Sequence, residues 1–128
     1  MGVDFSGLKF SEEEDMLRAM VHEFAQKEVW PRADHIDKTA SYPWDNVNRM
    51  KELGLFGVPV PTEYGGAGLG RVGYCIVVEE LGWACNSTAN AFGAHSSLCE
   101  SPIIYWGSEE LKQRYLPKLA KGELLGAF

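Results

Sequence analysis

The feature that constrains this chain most is a long run without a charged side chain, from Leu81 to Cys99. A surface helix normally keeps a charged face toward water. Because this run has none, a helix built from it must be surrounded by protein or by a ligand on most sides. The run has the length of a membrane span, but too many of its residues are small or polar for that role: Gly82, Asn86, Ser87, Thr88, Asn90, Gly93, His95, Ser96 and Ser97.

The chain as a whole predicts an all-α fold, a bundle of five helices. Ser11 with Glu14 three residues later has the pattern of a capping box, and apolar residues at helical spacing follow as far as Pro31, where the first helix is expected to end. A short second helix is expected from Pro43 to Gly54.

Three further helices are predicted in the second half of the chain. A largely buried helix covers about 71–84, and the uncharged run then forms a helix that ends at Gly107. Its candidate N-caps are Asn86, Ser87 and Thr88. Ser108 is expected to cap the last helix, which Pro117 interrupts and Gly122 ends.

Composition excludes several classes of partner. The net charge is −6 and no run of Lys or Arg is present, so neither nucleic acid nor an anionic membrane surface is an expected partner. Three cysteines at spacings that fit no metal template indicate reduced thiols and a cytosolic compartment. The protein is accordingly expected to be cytoplasmic.

A glycine-rich motif between residues 68 and 73 matches G-x-G-x-x-G, the pattern of dinucleotide-binding loops. The preceding segment is broken by Pro59 and Pro61, and no acid lies between Glu80 and Glu100 to bind a ribose. The motif is therefore predicted to be a connecting turn.

No pattern in the sequence is typical of a metal site or a catalytic group. His95 and Cys99 are four residues apart without two further ligands, so a buried, hydrogen-bonded imidazole is expected. Glu79 and Glu80 point about 100° apart on a helix, so one is expected in solvent and the other packed against a helix. Neighbouring serines have no base and acid with them.

One stripe of the uncharged helix is the candidate binding site. Asn90, Ala91, Ala94 and Leu98 fall at i, i+1, i+4 and i+8, and their mostly small size leaves room beside the helix. Spacing alone also allows close helix–helix packing through these residues.

Three segments together resemble the N-terminal helical domain of acyl-CoA dehydrogenases: 59–66, 79–82 and 86–128. The resemblance covers essentially the whole chain. In that family the chain continues into a β-domain and a second helical domain. The resemblance implies that residues 1–122 are the N-terminal domain, that 123–128 begin a strand of the β-domain, and that the chain is a fragment of a longer protein.

The resemblance also implies a function for the complete protein, namely FAD-dependent α,β-dehydrogenation of an acyl-CoA thioester. The family's glutamate base lies beyond Phe128, so no catalytic residue is expected here. Phe128 matches the first flavin-contacting position. Asn90, Ala91, Ala94 and Leu98 match positions at the inner end of the acyl pocket, which Leu98 and Phe92 are expected to close partly, favouring short or branched acyl groups.

The same resemblance implies the partners: acyl-CoA, an electron-transfer flavoprotein as acceptor, and a homotetrameric assembly, in the mitochondrial matrix if the source is eukaryotic. Two alternatives stay open. An acyl-CoA oxidase or a flavin monooxygenase shares the fold and differs in oxygen reactivity. A helical interaction module without chemistry is the alternative from another class.

Overall fold

The computed structural model describes residues 9–128, and within that range the chain forms helices without a β-strand. Two π-helical segments, π1 (Ala25–Val29) and π2 (Ala94–Glu100), join neighbouring helices end to end, so the elements form the five rods that the sequence predicts. The all-α prediction is confirmed. The α-helices are α1 (Glu12–Phe24), α2 (Trp30–Thr39), α3 (Trp44–Glu52), α4 (Gly70–Ala84), α5 (Asn86–Gly93), α6 (Ser101–Trp106) and α7 (Glu109–Ala120). Short turns join most of them, and one longer loop, which contains the 3₁₀ helices Leu55–Gly57 and Thr62–Tyr64, joins α3 to α4.

The predicted capping box at the start of α1 is present. The Glu14 amide donates to the Ser11 hydroxyl at 3.2 Å, and the Ser11 amide donates to the Glu14 carboxylate at 2.8 Å. Two of the amides that a helix start leaves unpaired are thereby satisfied. Ser108 caps α7 through its hydroxyl alone, which accepts from the Leu111 amide at 3.3 Å.

The expectation that the first helix ends at Pro31 is wrong. Pro31 lies in the first turn of α2, and the rod continues to Thr39. Directly before it, π1 pairs the Trp30 amide with the Ala25 carbonyl, five residues back instead of four. This wider turn lets the chain pass a residue that has no N–H and whose ring would crowd a regular helix.

The expectation that Pro117 interrupts the last helix is also wrong. Pro117 lies inside α7, which continues to Ala120. A proline costs a helix interior about 3 kcal/mol. Here Leu116 precedes it and Leu119 follows it, and both side chains are buried, so core packing holds both halves of the helix in place.

The N-cap of α5 is not one of the three residues predicted for it. Cys85 occupies the cap position with an extended backbone, and no side chain caps the helix. Thr88 has a tertiary partner instead, because its hydroxyl accepts from the Asn46 amide group at 2.9 Å in the core. A buried hydroxyl needs a partner, and this one is committed to another helix.

Helix α4 is the centre of the bundle. It packs against α1 on one side and α5 on the other, through the buried side chains of Ile76, Val77 and Leu81. Phe92 of α5 stacks between two rings, Phe56 at 6.1 Å and Tyr74 at 5.7 Å between centroids. These contacts bury the apolar side of α5 and leave a different side of it facing outward.

The glycine-rich segment is a connecting turn, as predicted. The amides of Ala67, Gly68 and Leu69 donate to carbonyls of the same loop, at Gly57 (2.8 Å), Val60 (2.9 Å) and Val58 (3.0 Å). A phosphate-binding loop needs such amides free to face its ligand. The hydrogen bonds therefore exclude that role for these three.

Residues 123–128 follow α7 without forming a strand, and the side chains of Leu124, Leu125 and Phe128 are exposed. The predicted division at residue 122 stays a prediction, and its residues 1–8 lie outside the described range. No helix within residues 9–128 has both the length and the apolar character to cross a bilayer.

Gly66 is sensitive to substitution, because the loop between α3 and α4 packs closely against itself at this residue. A methyl group on Gly66 would overlap the Val60 carbonyl group, so we expect Gly66→Ala to lower the free energy of unfolding by about 3 kcal/mol. Gly82→Ala is the control, because its methyl group would meet only Ala89, at 3.8 Å, inside α4. It should raise stability by up to about 1 kcal/mol. Urea denaturation of both variants measures the difference, and equal effects would contradict the prediction.

Candidate functional site

One open groove, with a volume of about 470 Å³, runs along the outward side of α5. Its other walls are the turn between α2 and α3 and the segment that follows α7. We call it the α5 groove. Its lining residues are Ala40, Ser41, Tyr42, Pro43, Ser87, Asn90, Ala91, Ala94, Gly126 and Ala127.

Three of the four predicted pocket residues line the α5 groove: Asn90, Ala91 and Ala94. Leu98 does not belong to the lining, and 49% of its surface is exposed. The reason is local geometry. Ala94 begins π2, in which each turn takes up an additional residue, so a position four residues later no longer falls on the same stripe.

Two other predicted positions lie outside the groove. Phe92 is fully buried in the core, so the expectation that it helps to close the pocket is wrong. Phe128 is fully exposed at the edge of the molecule. The described residues therefore do not enclose a flavin, which requires contacts on most of its surface.

The wall opposite α5 is a short turn that the sequence did not assign to the site. Ala40 ends α2 in the left-handed conformation, with φ at 50°. The Thr39 hydroxyl contacts the His35 carbonyl at 2.7 Å and the Ser41 hydroxyl at 2.8 Å, and the Tyr42 ring packs on Trp44 at 4.7 Å. These contacts hold the turn against the start of α3. Its contribution to the groove depends on tertiary packing, which has no local signal in the sequence.

A buried polar chain sets the position of α5 relative to α2 and α3. Arg32 donates to the Asn46 side-chain oxygen at 2.8 Å, and the Asn46 nitrogen donates to Thr88 at 2.9 Å. Both Asn46 and Thr88 are fully buried. Because unpaired polar groups are costly in a core, the chain specifies one arrangement of the three helices.

The chemistry of the α5 groove is that of a binding surface. Its polar groups are hydroxyls and one side-chain amide, from Ser41, Tyr42, Ser87 and Asn90, and its other side chains are small and apolar. No lining side chain is charged at neutral pH, so the groove contains no acid or base suited to proton transfer. It suits an uncharged, largely apolar part of a ligand.

Behind the groove, π2 carries a buried His–Glu pair. His95 Nε2 lies 3.1 Å from Glu100 Oε1 and 3.2 Å from the Leu119 carbonyl oxygen, and its Nδ1 accepts from the Gly126 amide at 3.0 Å. The expectation of a buried, hydrogen-bonded imidazole is confirmed. Among the described residues, no group of three His, Cys, Asp or Glu side chains is placed to hold a metal ion.

Glu100 occupies an unfavourable environment for a carboxylate. Burial raises its pKa, and the hydrogen bond from His95 opposes that rise. Its second oxygen, Oε2, is buried without a hydrogen-bond partner. Nearby, burial and the charge of Glu100 raise the pKa of the Cys99 thiol, which disfavours the reactive thiolate.

The two adjacent glutamates of α4 differ in burial, one packed against a helix and one in solvent, as predicted. Glu80 is 12% exposed and contacts His22 at 2.8 Å and Arg18 at 3.5 Å, whereas Glu79 is 66% exposed and contacts Arg18 at 3.1 Å. All three contacts join α4 to α1. The pair is a packing feature rather than an acid–base site.

Comparison with known proteins gives one consistent family. Residues 11–123 match the family model described as acyl-CoA dehydrogenase, N-terminal domain. A short-chain-specific acyl-CoA dehydrogenase of Clostridium acetobutylicum is 48% identical over 116 residues, 91% of this chain and 31% of that protein. The mitochondrial isovaleryl-CoA dehydrogenase of Arabidopsis thaliana is 43% identical over 125 residues, 95% of this chain and 30% of that protein.

Solved structures agree with this result. A glutaryl-coenzyme A dehydrogenase in complex with glutaryl-CoA superposes with a TM-score of 0.84 at 36% identity, covering 97% of this chain and 31% of that one. The chain thus spans about a third of the length of the relatives that it matches.

The raised pKa of Glu100 predicts a pH-dependent stability difference. A carboxyl whose pKa is higher in the folded state favours folding at low pH, and this contribution is lost as the pH rises through the raised pKa. Glu100→Gln cannot ionise. The free energy of unfolding of the variant minus that of the wild type should therefore increase with pH above about 4.5, by at most about 1.4 kcal/mol per pH unit. Urea denaturation between pH 4 and 8 measures it, and a flat difference would contradict it.

Proposed function

The chain belongs to the acyl-CoA dehydrogenase family, and from that premise we propose that it forms one wall of the acyl-binding site of an FAD-dependent acyl-CoA dehydrogenase. The observation that carries the proposal is the α5 groove. Asn90, Ala91 and Ala94, three of the four positions that the family resemblance assigns to the acyl pocket, line it together.

The groove has the properties that an acyl chain requires. Ala91 and Ala94 have the smallest side chains that still provide an apolar surface, so they leave space for hydrocarbon beside the helix. Because the groove is open on one side, a ligand held only by these residues would keep much of its surface in water. A second protein surface must close it, which fits a chain that spans about a third of its relatives.

We propose that this chain supplies one domain of the complete protein and that most of the catalytic groups lie in the others. Residues 1–122 form the N-terminal helical domain, and 123–128 lead into a β-domain. FAD would be held mainly by residues outside this chain, with Phe128 at its edge, and would supply the hydride acceptor for the acyl β-carbon. The base that removes the α-proton also comes from outside this chain. What the described residues supply is a fixed apolar wall that orients the acyl chain.

The substrate class and partners complete the proposal. The names of the relatives, short-chain-specific and isovaleryl-CoA dehydrogenase, support a short or branched acyl-CoA as substrate. We propose an electron-transfer flavoprotein as acceptor and a homotetramer as the assembly of the complete protein.

A size change in the groove tests the proposal. In the complete protein, Ala94→Phe should lower kcat/KM for octanoyl-CoA at least about tenfold relative to butyryl-CoA, because added volume opposes only the chain that reaches it. Ala67→Phe, on an exposed loop outside the groove, is the matched control and should leave the ratio unchanged. An unchanged ratio for Ala94→Phe, with normal thermal stability, would remove Ala94 from the acyl site.

The 128-residue chain provides a second test. Since its groove is open and Phe128 is its single proposed flavin contact, the chain alone should be colourless and inactive toward butyryl-CoA with an artificial electron acceptor. The exposed Leu124, Leu125 and Phe128 should promote self-association, measurable by sedimentation. The complete protein should be yellow and active. Stoichiometric FAD on the 128-residue chain would show that the cofactor site is misplaced.

A further inference from the structure

One hydrogen bond ties the end of the described chain to the middle of the bundle. The Gly126 amide donates to His95 Nδ1 at 3.0 Å, across 31 residues of sequence. The segment around it has little side-chain packing, since Leu124 and Leu125 are more than 40% exposed and Phe128 is fully exposed. Its position therefore depends on backbone contacts more than on burial.

This hydrogen bond determines which ring nitrogen of His95 carries the proton. A backbone amide can only donate, so Nδ1 must be the accepting nitrogen, and the proton of the neutral imidazole lies on Nε2. Nε2 faces two acceptors, Glu100 Oε1 at 3.1 Å and the Leu119 carbonyl at 3.2 Å. Both favour the same tautomer. Glu100 and Leu119 thus orient His95 so that its accepting nitrogen points at Gly126.

The fit of the backbone at Gly126 is a second, independent observation. A methyl group at this position would overlap the Cys99 side chain, so the chain can lie this close to π2 only because residue 126 has no side chain. Cys99 and His95 belong to the same π2 segment. Together, the His95 ring and the Cys99 side chain leave space at π2 for a residue without a side chain, and Gly126 occupies that space.

The position of Gly126 matters because its segment forms part of the α5 groove. Gly126 and Ala127 line the α5 groove across from the turn at Ala40, and Phe128 follows directly. Ala94, on the α5 side of the groove, is the residue immediately before His95. We therefore expect a change at His95 to alter the width of the groove by moving one of its walls.

We propose that His95 is a positioning residue: oriented by Glu100 and Leu119, it holds Gly126 against π2 and so fixes the wall of the acyl site that leads to the flavin edge. This inference rests on the proposed function for the identity of the ligand. The hydrogen bond and the tautomer are properties of the chain itself and can be tested without any ligand.

Two matched variants separate this role from general packing. In His95→Asn, the side-chain oxygen replaces Nδ1 approximately and keeps an acceptor for Gly126. In His95→Gln, the longer side chain reaches toward Glu100 and Leu119 and leaves no acceptor at the Nδ1 position. Both variants remove the ring, so a purely structural loss affects the two alike.

Nuclear magnetic resonance of the 128-residue chain gives the first readout. In the wild type, the ¹⁵N shifts of His95 should show a proton on Nε2 and an accepting Nδ1. The Gly126 amide should exchange at least about tenfold faster in His95→Gln than in His95→Asn, while Val77 and Leu81 amides in the core exchange alike in the two variants. A proton on Nδ1 in the wild type, or equal Gly126 exchange in the two variants, overturns the proposal; the ring shifts need no variant to fold.

Activity of the complete protein gives the second readout. His95→Gln should change the ratio of kcat/KM for butyryl-CoA to that for octanoyl-CoA by about tenfold, and His95→Asn should restore most of the wild-type ratio. An active His95→Gln enzyme with the wild-type ratio overturns the positioning role and leaves the proposed function standing. A wild-type protein inactive on both thioesters overturns the proposed function, and with it the acyl-site part of this inference.

Discussion

The absence of charge from Leu81 to Cys99, a run that covers α5 and all of π2 except Glu100, is the constraint on which the rest of the structure depends. Such a rod is stable only where other elements cover it. In this structure, three of its side chains contact other parts of the domain. Phe92 stacks in the core between Phe56 and Tyr74, Thr88 bonds to Asn46 of α3, and His95 bonds to the end of α7. One face is left without a covering helix, and it carries Asn90, Ala91 and Ala94. The proposed ligand surface is therefore the part of the rod that the domain does not cover itself.

The two π segments have a common physical setting. Each lies directly before a proline of the following helix: π1 before the Trp30–Pro31 step and π2 before the Ser101–Pro102 step. In each, an amide pairs five residues back, from Trp30 to Ala25 and from Ser101 to Ser96. A wide turn accommodates the missing donor without ending the rod. In π2 the same wide turn places His95 and Glu100 inside the domain. It also rotates Leu98 away from the groove, so the turn determines which side chains line the site.

The sequence predicted the features whose causes are local. Ser11 and Ser108 cap helices through side chains that lie within three residues of their partners, and Gly54 ends α3 in the left-handed conformation. The stripe at Asn90, Ala91 and Ala94 is predictable because α5 and its C-cap residue Ala94 keep regular helical geometry. The predictions that failed concern distant partners. The sequence predicts that Pro31 ends the first helix and that Pro117 interrupts the last one, but a π turn carries the first rod past Pro31 and core packing keeps α7 continuous through Pro117.

The walls at Ala40–Pro43 and Gly126–Ala127 could not be predicted for the same reason. They come to α5 from other parts of the chain, and nothing in their local sequence indicates that contact. Gly126 shows the difficulty most clearly, since its fit depends on Cys99 and His95, about thirty residues earlier. A glycine next to two exposed leucines looks like an ordinary loop residue until its neighbours in space are known.

The most direct test of the central claim is a crystal structure of the complete protein with butyryl-CoA bound. We expect the acyl carbons to lie in the α5 groove, with at least one of them within about 4.5 Å of the Ala94 Cβ atom, the distance of a van der Waals contact. We also expect a second domain to close the open side of the groove. An acyl chain bound away from α5, with side chains of another domain filling the groove, would contradict the account.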